Sequence, residues 1–203
     1  MKVLVLGATG NAGAALVRFL VKETDWEIHA TWTDEKELEV LLTQELLGKI
    51  CLINMGDQTT LAPIDNYDYL INCQLIIDHE FLDNFCFPNE IKIIHIFDNS
   101  VYYAHRLQED VSTKKTMILA VSKILRGISE TNNEILGMAA KEIASCCYQI
   151  IQEDLWKPEV FNLLSRKSDG TPDSSIWSKK NLTFDLKINS IEKQIEELQK
   201  DSI

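Results

Sequence analysis

Three glycines spaced three residues apart follow the first apolar segment of the chain. The segment is Lys2–Leu6, and the glycines are Gly7, Gly10 and Gly13. Apolar residues at helical spacing come next: Leu16, Val17, Leu20 and Val21. A continuous β-branched and aliphatic run is typical of a strand buried on both faces of a parallel sheet, and the later spacing predicts a helix. The order of strand, glycine turn and helix predicts the start of a β-α-β unit.

Each glycine of this loop has its own task in such a unit. Gly7 allows the tight turn, Gly10 leaves space for a phosphate to approach the backbone, and Gly13 lets the helix pack closely on the strand. The first turn of the helix presents unpaired N–H groups and the positive end of its dipole to the phosphates. We therefore expect a dinucleotide to bind here, and the alternative is a glycine turn that holds no ligand.

Apolar segments alternate with helical ones along the rest of the chain. Strands are predicted at 27–32, 49–55, 69–73, 91–96 and 160–164, and helices at 35–47, 113–127, 134–152 and after Asn189. In the helix at 35–47 the apolar residues of one side are Leu38, Leu41, Leu42 and Leu46. Strands that alternate with helices in this way predict an α/β fold with a doubly wound, Rossmann-like parallel sheet.

The charge balance narrows the classes of partner. The 203 residues include 20 basic and 31 acidic ones, so the net charge is −11, which disfavours nucleic acid and acidic membranes. No apolar run reaches the roughly 18 residues that a membrane span needs. The chain also opens on a strand pattern rather than a signal peptide, so we expect a cytoplasmic protein with no membrane association.

Cysteine and histidine spacing gives no sign of a metal site. The five cysteines form no Cys-x-x-Cys pair, and the four histidines form no His-x-x-x-His pair. An odd number of cysteines also argues against a disulfide framework, so we expect them to pack as small apolar side chains.

The glycine spacing resembles that of the extended short-chain dehydrogenases and reductases. That resemblance implies that Thr9, Asn11 and Ala12 line the phosphate loop together with the glycines. It also implies a nicotinamide dinucleotide, and the residues after the second strand, from Thr33 onward, leave NAD and NADP equally open.

A second polar pair belongs to the same resemblance. Asp57 and Gln58, after the third strand, stand where this superfamily often contacts the adenine ring. The alternative is an ordinary polar turn after Gly56.

Longer stretches resemble the dTDP-4-dehydrorhamnose reductases, a family of sugar-nucleotide reductases. The resemblance extends nearly from end to end, over residues 1–17, 68–77, 84–88, 92–96, 122–125, 138–163 and 190–195. It implies hydride transfer between a nicotinamide cofactor and a nucleotide-activated keto-sugar.

The chain departs from this family at the positions that carry the chemistry. The family uses a tyrosine as general acid four residues before a lysine, and Lys123 matches the lysine whereas Leu119 stands in place of the tyrosine. Phe97 and Asp98 replace a carbonyl-binding hydroxyl. Leu75 also replaces a glycine after the fourth strand.

Some nearby residues offer replacements for the missing groups. A shift in register would bring Ser100 to the hydroxyl position, and Tyr102, Tyr103 and His105 are alternative proton donors. For each of the last three, the alternative is a packing or surface role. The resemblance implies that Lys123 acts both in catalysis and in ribose binding. The alternative is that Lys123 is only a surface charge.

The second half of the chain is short for a nucleotide-sugar site. We expect a Rossmann-like region at 1–127 and a reduced substrate region at 128–203 packed on it, with no room for a sixth strand between Gly127 and Glu134. The missing cover predicts exposed apolar sheet surface that a second copy or another protein would bury. A degenerate binding, structural or regulatory subunit is therefore the favoured function, and the alternative is an active NAD(P)-dependent reductase or epimerase with a displaced proton donor.

Overall fold

The computed structural model describes residues 1–55, 67–74, 86, 90–98, 116–121, 124–125, 138–158 and 160–163. Its strands are β1 Lys2–Leu6, β2 Glu27–Trp32, β3 Ile50–Asn54, β4 Tyr69–Asn72, β5 Lys92–Asp98, β6 Thr116–Val121, β7 Ile124–Leu125, β8 Met138–Ala139 and β9 Val160–Leu163. The helices are α1 Asn11–Glu23, α2 Glu35–Leu38 and α3 Ala140–Gln152.

Seven strands form one parallel sheet in the order β3-β2-β1-β4-β5-β6-β9. The chain runs from β1 outward to β3 on one side, returns to β4 on the other side of β1, and continues outward to β9. This is the doubly wound α/β arrangement that the alternating pattern predicted, so the predicted fold class is confirmed. The strands β7 and β8 form a separate short parallel pair.

Both faces of the sheet are buried. Alternate residues of each strand point to opposite faces, and each set packs into its own apolar cluster. In β1, Val3 and Val5 belong to one apolar cluster and Leu4 and Leu6 to another. The helices α1 and α3 cover the face that carries Val3 and Val5. The ring centroid of Tyr148 on α3 lies 5.8 Å from the ring centroids of Phe19 and of Trp26. The continuous apolar runs of the strands are thus explained by burial on two sides.

The exposed apolar sheet surface that the sequence predicts is not seen in the described part of the chain. The large apolar residues exposed there are Met1, Leu42 and Leu47, and all three lie outside the strands. The reduced second half therefore leaves no large apolar strand residue exposed among the described residues.

The predicted helix at 35–47 is wrong beyond its first turn. It ends as α2 at Leu38, and turns follow, including backbone hydrogen bonds from Leu41 to Leu38 and from Leu46 to Thr43. Leu41 and Leu46 are both buried although they are five residues apart, so they would stand about 140° apart around a continuous helix. The chain buries both by turning between them, which leaves Leu42 exposed.

The predicted helix at 113–127 is also wrong, because residues 116–121 form strand β6. Met117 and Leu119 face one apolar cluster while Ile118 faces the other. Short apolar runs fit either a buried helix or a buried strand, and here the neighbouring strands β5 and β9 decide the outcome. A sixth strand of the sheet is therefore present before Gly127, and the interval 127–134, where none was expected, lies outside the described residues.

Smaller differences concern α3 and the cysteines. The helix predicted at 134–152 begins only at Ala140, directly after β8, and residues 134–137 lie outside the described part. All five cysteines are free, and Cys86, Cys146 and Cys147 are buried as small apolar residues. Cys51 departs from the expectation because it is exposed on β3.

Candidate functional site

The candidate site lies at the carboxyl edge of the sheet, where the order of the strands reverses between β1 and β4. Open α/β sheets bind ligands in the crevice at such a point. Gly7 follows β1 and Cys73 follows β4, and the backbone N–H of Cys73 donates to the carbonyl of Leu6 over 3.0 Å. The glycine loop is thus fixed to the end of the adjacent strand.

Gly7 occupies a position that no other residue fits. Its φ is +69°, in the left-handed region that favours glycine. A Cβ there would lie 2.8 Å from Cγ of Gln74 and 3.2 Å from the backbone nitrogen of the same residue. The N–H of Gly7 donates to the hydroxyl of buried Thr31 over 3.1 Å, which ties the loop to β2 as well.

Gly13 holds α1 against the loop. A Cβ on Gly13 would collide with the carbonyl oxygen of Gly7 and lie 2.7 Å from Cα of Ala8. The predicted close packing of helix and strand through Gly13 is what the structure shows.

Gly10 differs from both, because a side chain there would meet little of the described part of the chain. A Cβ there would meet one heavy atom within 4 Å among the described residues, the carbonyl oxygen of Gly7 at 3.4 Å. Gly10 is the N-cap of α1 and has no side chain to bond the first N–H groups, which belong to Asn11, Ala12 and Gly13. No acidic residue lies in this first turn, so the positive end of the helix dipole is uncompensated within it. The backbone therefore forms a cradle suited to a phosphate.

Thr9 is bonded to the segment that follows β2. Its hydroxyl donates to Oε2 of Glu37 over 2.9 Å. Asp34 caps α2, since its Oδ1 accepts from the N–H of Lys36 over 2.9 Å, and Thr33 is exposed beside it. The sequence predicted roles for Thr9 and Thr33 but not for Glu37, because no spacing rule joins two residues 28 positions apart.

A buried polar pair lies beneath this edge. Asn72 on β4 and His95 on β5 are neighbours in register, and Nδ2 of Asn72 lies 3.0 Å from Nδ1 of His95. Oδ1 of Asn72 accepts from the backbone N–H of Gln74 over 2.9 Å, so its amide nitrogen is the donor toward His95. Nδ1 of His95 then accepts, and its proton lies on Nε2. Burial lowers the pKa of His95 to about 4.

This pair was also missed in the sequence analysis, although a signal existed. Asn72 is the one amide in β4, and His95 interrupts the apolar run of β5; a polar residue at a buried position must find a hydrogen-bonding partner. The pair fixes Gln74, whose side chain in turn packs against Gly7.

Leu119 does not stand where a general acid would be. It lies in the middle of β6, fully buried, and pairs with Ile96 and Phe161 on the flanking strands. The assumption that Leu119 lies one helical turn before Lys123 is therefore wrong, because residue 119 is in an extended strand.

The remaining predicted site residues cannot be placed here. Asp57, Gln58, Ser100, Tyr102 and Lys123 lie outside the described residues, as do Leu75, Tyr103 and His105. Phe97 and Asp98 belong to the backbone of β5. The described residues contain no group of three metal-ligating side chains and no helix long and apolar enough to cross a membrane.

Comparisons with known proteins bear on the fold. No protein family and no curated protein matches this chain in sequence. Solved structures do match: a short-chain dehydrogenase/reductase from Veillonella parvula in complex with NADP has a TM-score of 0.56 at 12% identity, over 78% of this chain and 92% of that one. A 3-oxoacyl-(acyl-carrier protein) reductase from Brucella melitensis has a TM-score of 0.54 at 10% identity, over 80% and 89%.

A third match is a sugar-nucleotide enzyme. The UDP-glucuronic acid 4-epimerase of Bacillus cereus, a Tyr-to-Phe mutant in complex with NAD and a fluorinated substrate analogue, has a TM-score of 0.51 at 13% identity, over 82% of this chain and 78% of that one. Identities this low establish a shared fold and no more. The chain has the α/β Rossmann-like fold that these dehydrogenases, reductases and epimerases share.

Proposed function

We propose that this protein binds a nicotinamide dinucleotide, with the pyrophosphate over the first turn of α1. The observation that carries the proposal is the contrast between the three glycines. Gly7 and Gly13 are closed in by packing, whereas Gly10 opens outward beside uncapped N–H groups. A purely structural role accounts for Gly7 and Gly13, and for Gly10 it gives only the modest preference for glycine at an N-cap.

The residues proposed for the cofactor come from four segments. The loop contributes Gly7, Thr9, Gly10, Asn11, Ala12 and Gly13, and the segment after β2 contributes Thr33. Asp57, Gln58 and Lys123 are proposed from the sequence resemblance alone, for the adenine and the ribose. The nicotinamide supplies a hydride donor or acceptor when it is bound, and this chain's residues supply binding and orientation.

The binding test uses the full chain and a charge placed at the loop. Saturating nucleotide at about 100 times its Kd should raise the free energy of unfolding by about 2.7 kcal/mol, seen as a higher Tm. Asn11→Asp puts a carboxylate in the first turn of α1, which favours the helix dipole but repels a pyrophosphate. We expect Asn11→Asp to abolish the Tm increase while it leaves the ligand-free protein at least as stable.

Gln44→Glu is the matched control, because Gln44 is exposed and lies on a different segment. This variant makes the same change of charge and should keep the full Tm increase. The proposal is wrong if neither NAD nor NADP raises the Tm of the wild type, or if Asn11→Asp binds as well as the wild type.

For the biological role, we propose a binding or regulatory subunit related to sugar-nucleotide reductases of the dTDP-4-dehydrorhamnose reductase type. The support is in the sequence, where Leu75, Phe97 and Asp98 stand at positions that catalysis by that family would fill differently. Leu119 no longer supports this proposal, since it lies in the core of the sheet.

The second candidate is an active reductase or epimerase of a nucleotide-activated keto-sugar. The placement of β6 removes one argument against it, because the position inferred for the tyrosine, residue 119, lies inside the sheet. Ser100 and Tyr102 stand in the connection between β5 and β6, and Tyr102 would be the proton donor. The test is oxidation of NADH or NADPH in the presence of a dTDP-4-keto-6-deoxy-sugar.

The two candidates differ in the expected result. A binding subunit shows no sustained oxidation of either cofactor. Sustained oxidation that Tyr102→Phe or Lys123→Ala abolishes, with the Tm increase retained, would establish the enzyme and overturn the subunit.

Association with a second copy or with another protein is part of the subunit proposal. The mass in solution, measured by light scattering with and without dinucleotide, tests self-association. A monomer under both conditions contradicts the homo-oligomer and leaves a different protein as the partner to be sought. The two-region division at residue 127 and the cytoplasmic location likewise remain predictions.

A further inference from the structure

The segment after β2 is rich in acidic residues, and the structure gives them different positions. The carboxylates belong to Asp34, Glu35, Glu37 and Glu39, and the one basic residue in the same stretch is Lys36. In folds of this kind, the chain that follows the second strand lies beside the ribose that carries the adenine. Which of these charges faces the glycine loop therefore decides which dinucleotide fits.

Asp34 is directed to its own segment. Its Oδ1 accepts from the backbone N–H of Lys36 over 2.9 Å and caps α2. Glu37 is directed to the glycine loop, where its Oε2 accepts the hydroxyl proton of Thr9 over 2.9 Å. This hydrogen bond holds the carboxylate of Glu37 against the loop at Thr9, two residues before the first residue of α1.

We propose that Glu37 makes the protein select NAD and reject NADP. This inference rests on the proposed function. A carboxylate accepts hydrogen bonds from the ribose hydroxyls of NAD, whereas the 2′-phosphate of NADP would bring a second negative group beside it. Selection comes from α2 because Thr33, which directly follows β2, has no charge and Asp34 is occupied as a helix cap.

The opposite preference, for NADP, would come from Lys36. If Lys36 rather than Glu37 faced the ribose, the ammonium group would attract the 2′-phosphate and NADP would bind more tightly. The geometry opposes this: Lys36 and Glu37 are both exposed on α2, and it is Glu37 that makes the contact with Thr9.

The test is isothermal titration of the full chain with NAD and with NADP. We expect the wild type to bind NAD at least roughly 10-fold more tightly than NADP, as for the loss of one charge-assisted hydrogen bond. Glu37→Gln keeps the shape and removes the charge, so the affinity for NADP should rise by roughly 10-fold with a smaller change for NAD. Glu35→Gln removes the same charge from an exposed position on α2 and should leave the ratio unchanged.

The outcomes separate this inference from the proposed function. If the wild type binds NADP as tightly as NAD, the inference is wrong and the dinucleotide site stands. The same holds if Glu35→Gln shifts the ratio as far as Glu37→Gln, because the effect is then general charge and not the contact with Thr9. Binding of neither nucleotide overturns both.

Discussion

The side-chain amide of Asn72 donates a hydrogen bond of 3.0 Å to Nδ1 of His95 inside the parallel sheet. Both residues are buried, and Oδ1 of Asn72 also accepts from the backbone of Gln74, beside the glycine loop. The neutral form of His95 fits this arrangement, since a proton on Nδ1 would face the amide N–H. The pair therefore links the protonation of a core histidine to the stability of the fold.

The pKa of His95 predicts how stability changes with pH. Burial lowers this pKa from 6.5 to about 4, so the unfolded chain binds a proton at a higher pH than the folded protein does. The contribution of neutral His95 to the free energy of unfolding is complete above pH 6.5. It is lost as the pH falls from 6.5 toward 4, by up to about 3 kcal/mol. Between pH 7 and pH 5, His95 should account for about 2 kcal/mol of the decrease in the free energy of unfolding.

Urea denaturation at pH 7 and pH 5 checks this prediction in the wild type and in His95→Gln. Glutamine does not titrate, and its amide oxygen can accept from Asn72. The difference between the two pH values should be smaller in the variant by about 2 kcal/mol. An equal difference in both proteins would show that His95 is not protonated selectively in the unfolded chain.

Alanine substitutions should separate the structural role of Gly13 from the phosphate-binding role proposed for Gly10. Gly13→Ala forces a Cβ against the carbonyl of Gly7 and against Ala8, so we expect a loss of about 3 kcal/mol in the free energy of unfolding. Gly10→Ala adds a methyl group that would make an ordinary contact, 3.4 Å, with the carbonyl oxygen of Gly7 among the described residues, so it should lose less than about 1 kcal/mol, the usual effect at an N-cap. Nucleotide binding by folded Gly10→Ala should still weaken, because its methyl group lies where the phosphate approaches. Equal stability of the two variants in urea denaturation would contradict the packing assigned to Gly13.

The bond between Gly7 and Thr31 predicts a cost for removing a buried hydroxyl. Thr31→Val keeps the shape of the side chain but leaves the N–H of Gly7 without the oxygen that now accepts it at 3.1 Å. We expect a loss of about 1 to 3 kcal/mol, which is the usual cost of an unsatisfied buried donor. Thr33→Val makes the same change at an exposed position and should alter stability by less than about 0.5 kcal/mol. Thermal or chemical denaturation distinguishes the two, and similar small effects would mean that Thr31 does not hold the loop.

Leu119 offers a test of the corrected position of β6. If residue 119 lay on an exposed helix turn before Lys123, a tyrosine there would be tolerated. In the sheet, Leu119→Tyr adds volume and a hydroxyl to a fully buried site, and we expect a loss of about 3 kcal/mol or more. Leu42→Tyr is the control, since Leu42 is 46% exposed, and it should change stability by less than about 0.5 kcal/mol. A stable Leu119→Tyr protein would contradict the assignment of β6.

The first part of the chain was predictable because its signals are local. The apolar run Lys2–Leu6, the glycines after it and the apolar spacing of α1 are all read within about 20 residues, and the structure has each element at its predicted place. The segment Thr116–Val121 was mistaken for a helix because a short apolar run satisfies both a buried helix and a buried strand. Pairing with β5 and β9 decided between them.

The candidate site divides in the same way. The amino-acid sequence by itself determined the α/β class and the glycine turn between β1 and α1, because glycine's lack of a side chain and the alternation of strands and helices act locally. The tertiary structure decided that Glu37 reaches Thr9, that Asn72 meets His95, and that Leu119 lies inside the sheet. The physical reason is that each of these contacts joins segments distant in the chain, and the burial and hydrogen bonding that select them exist only once the strands have paired.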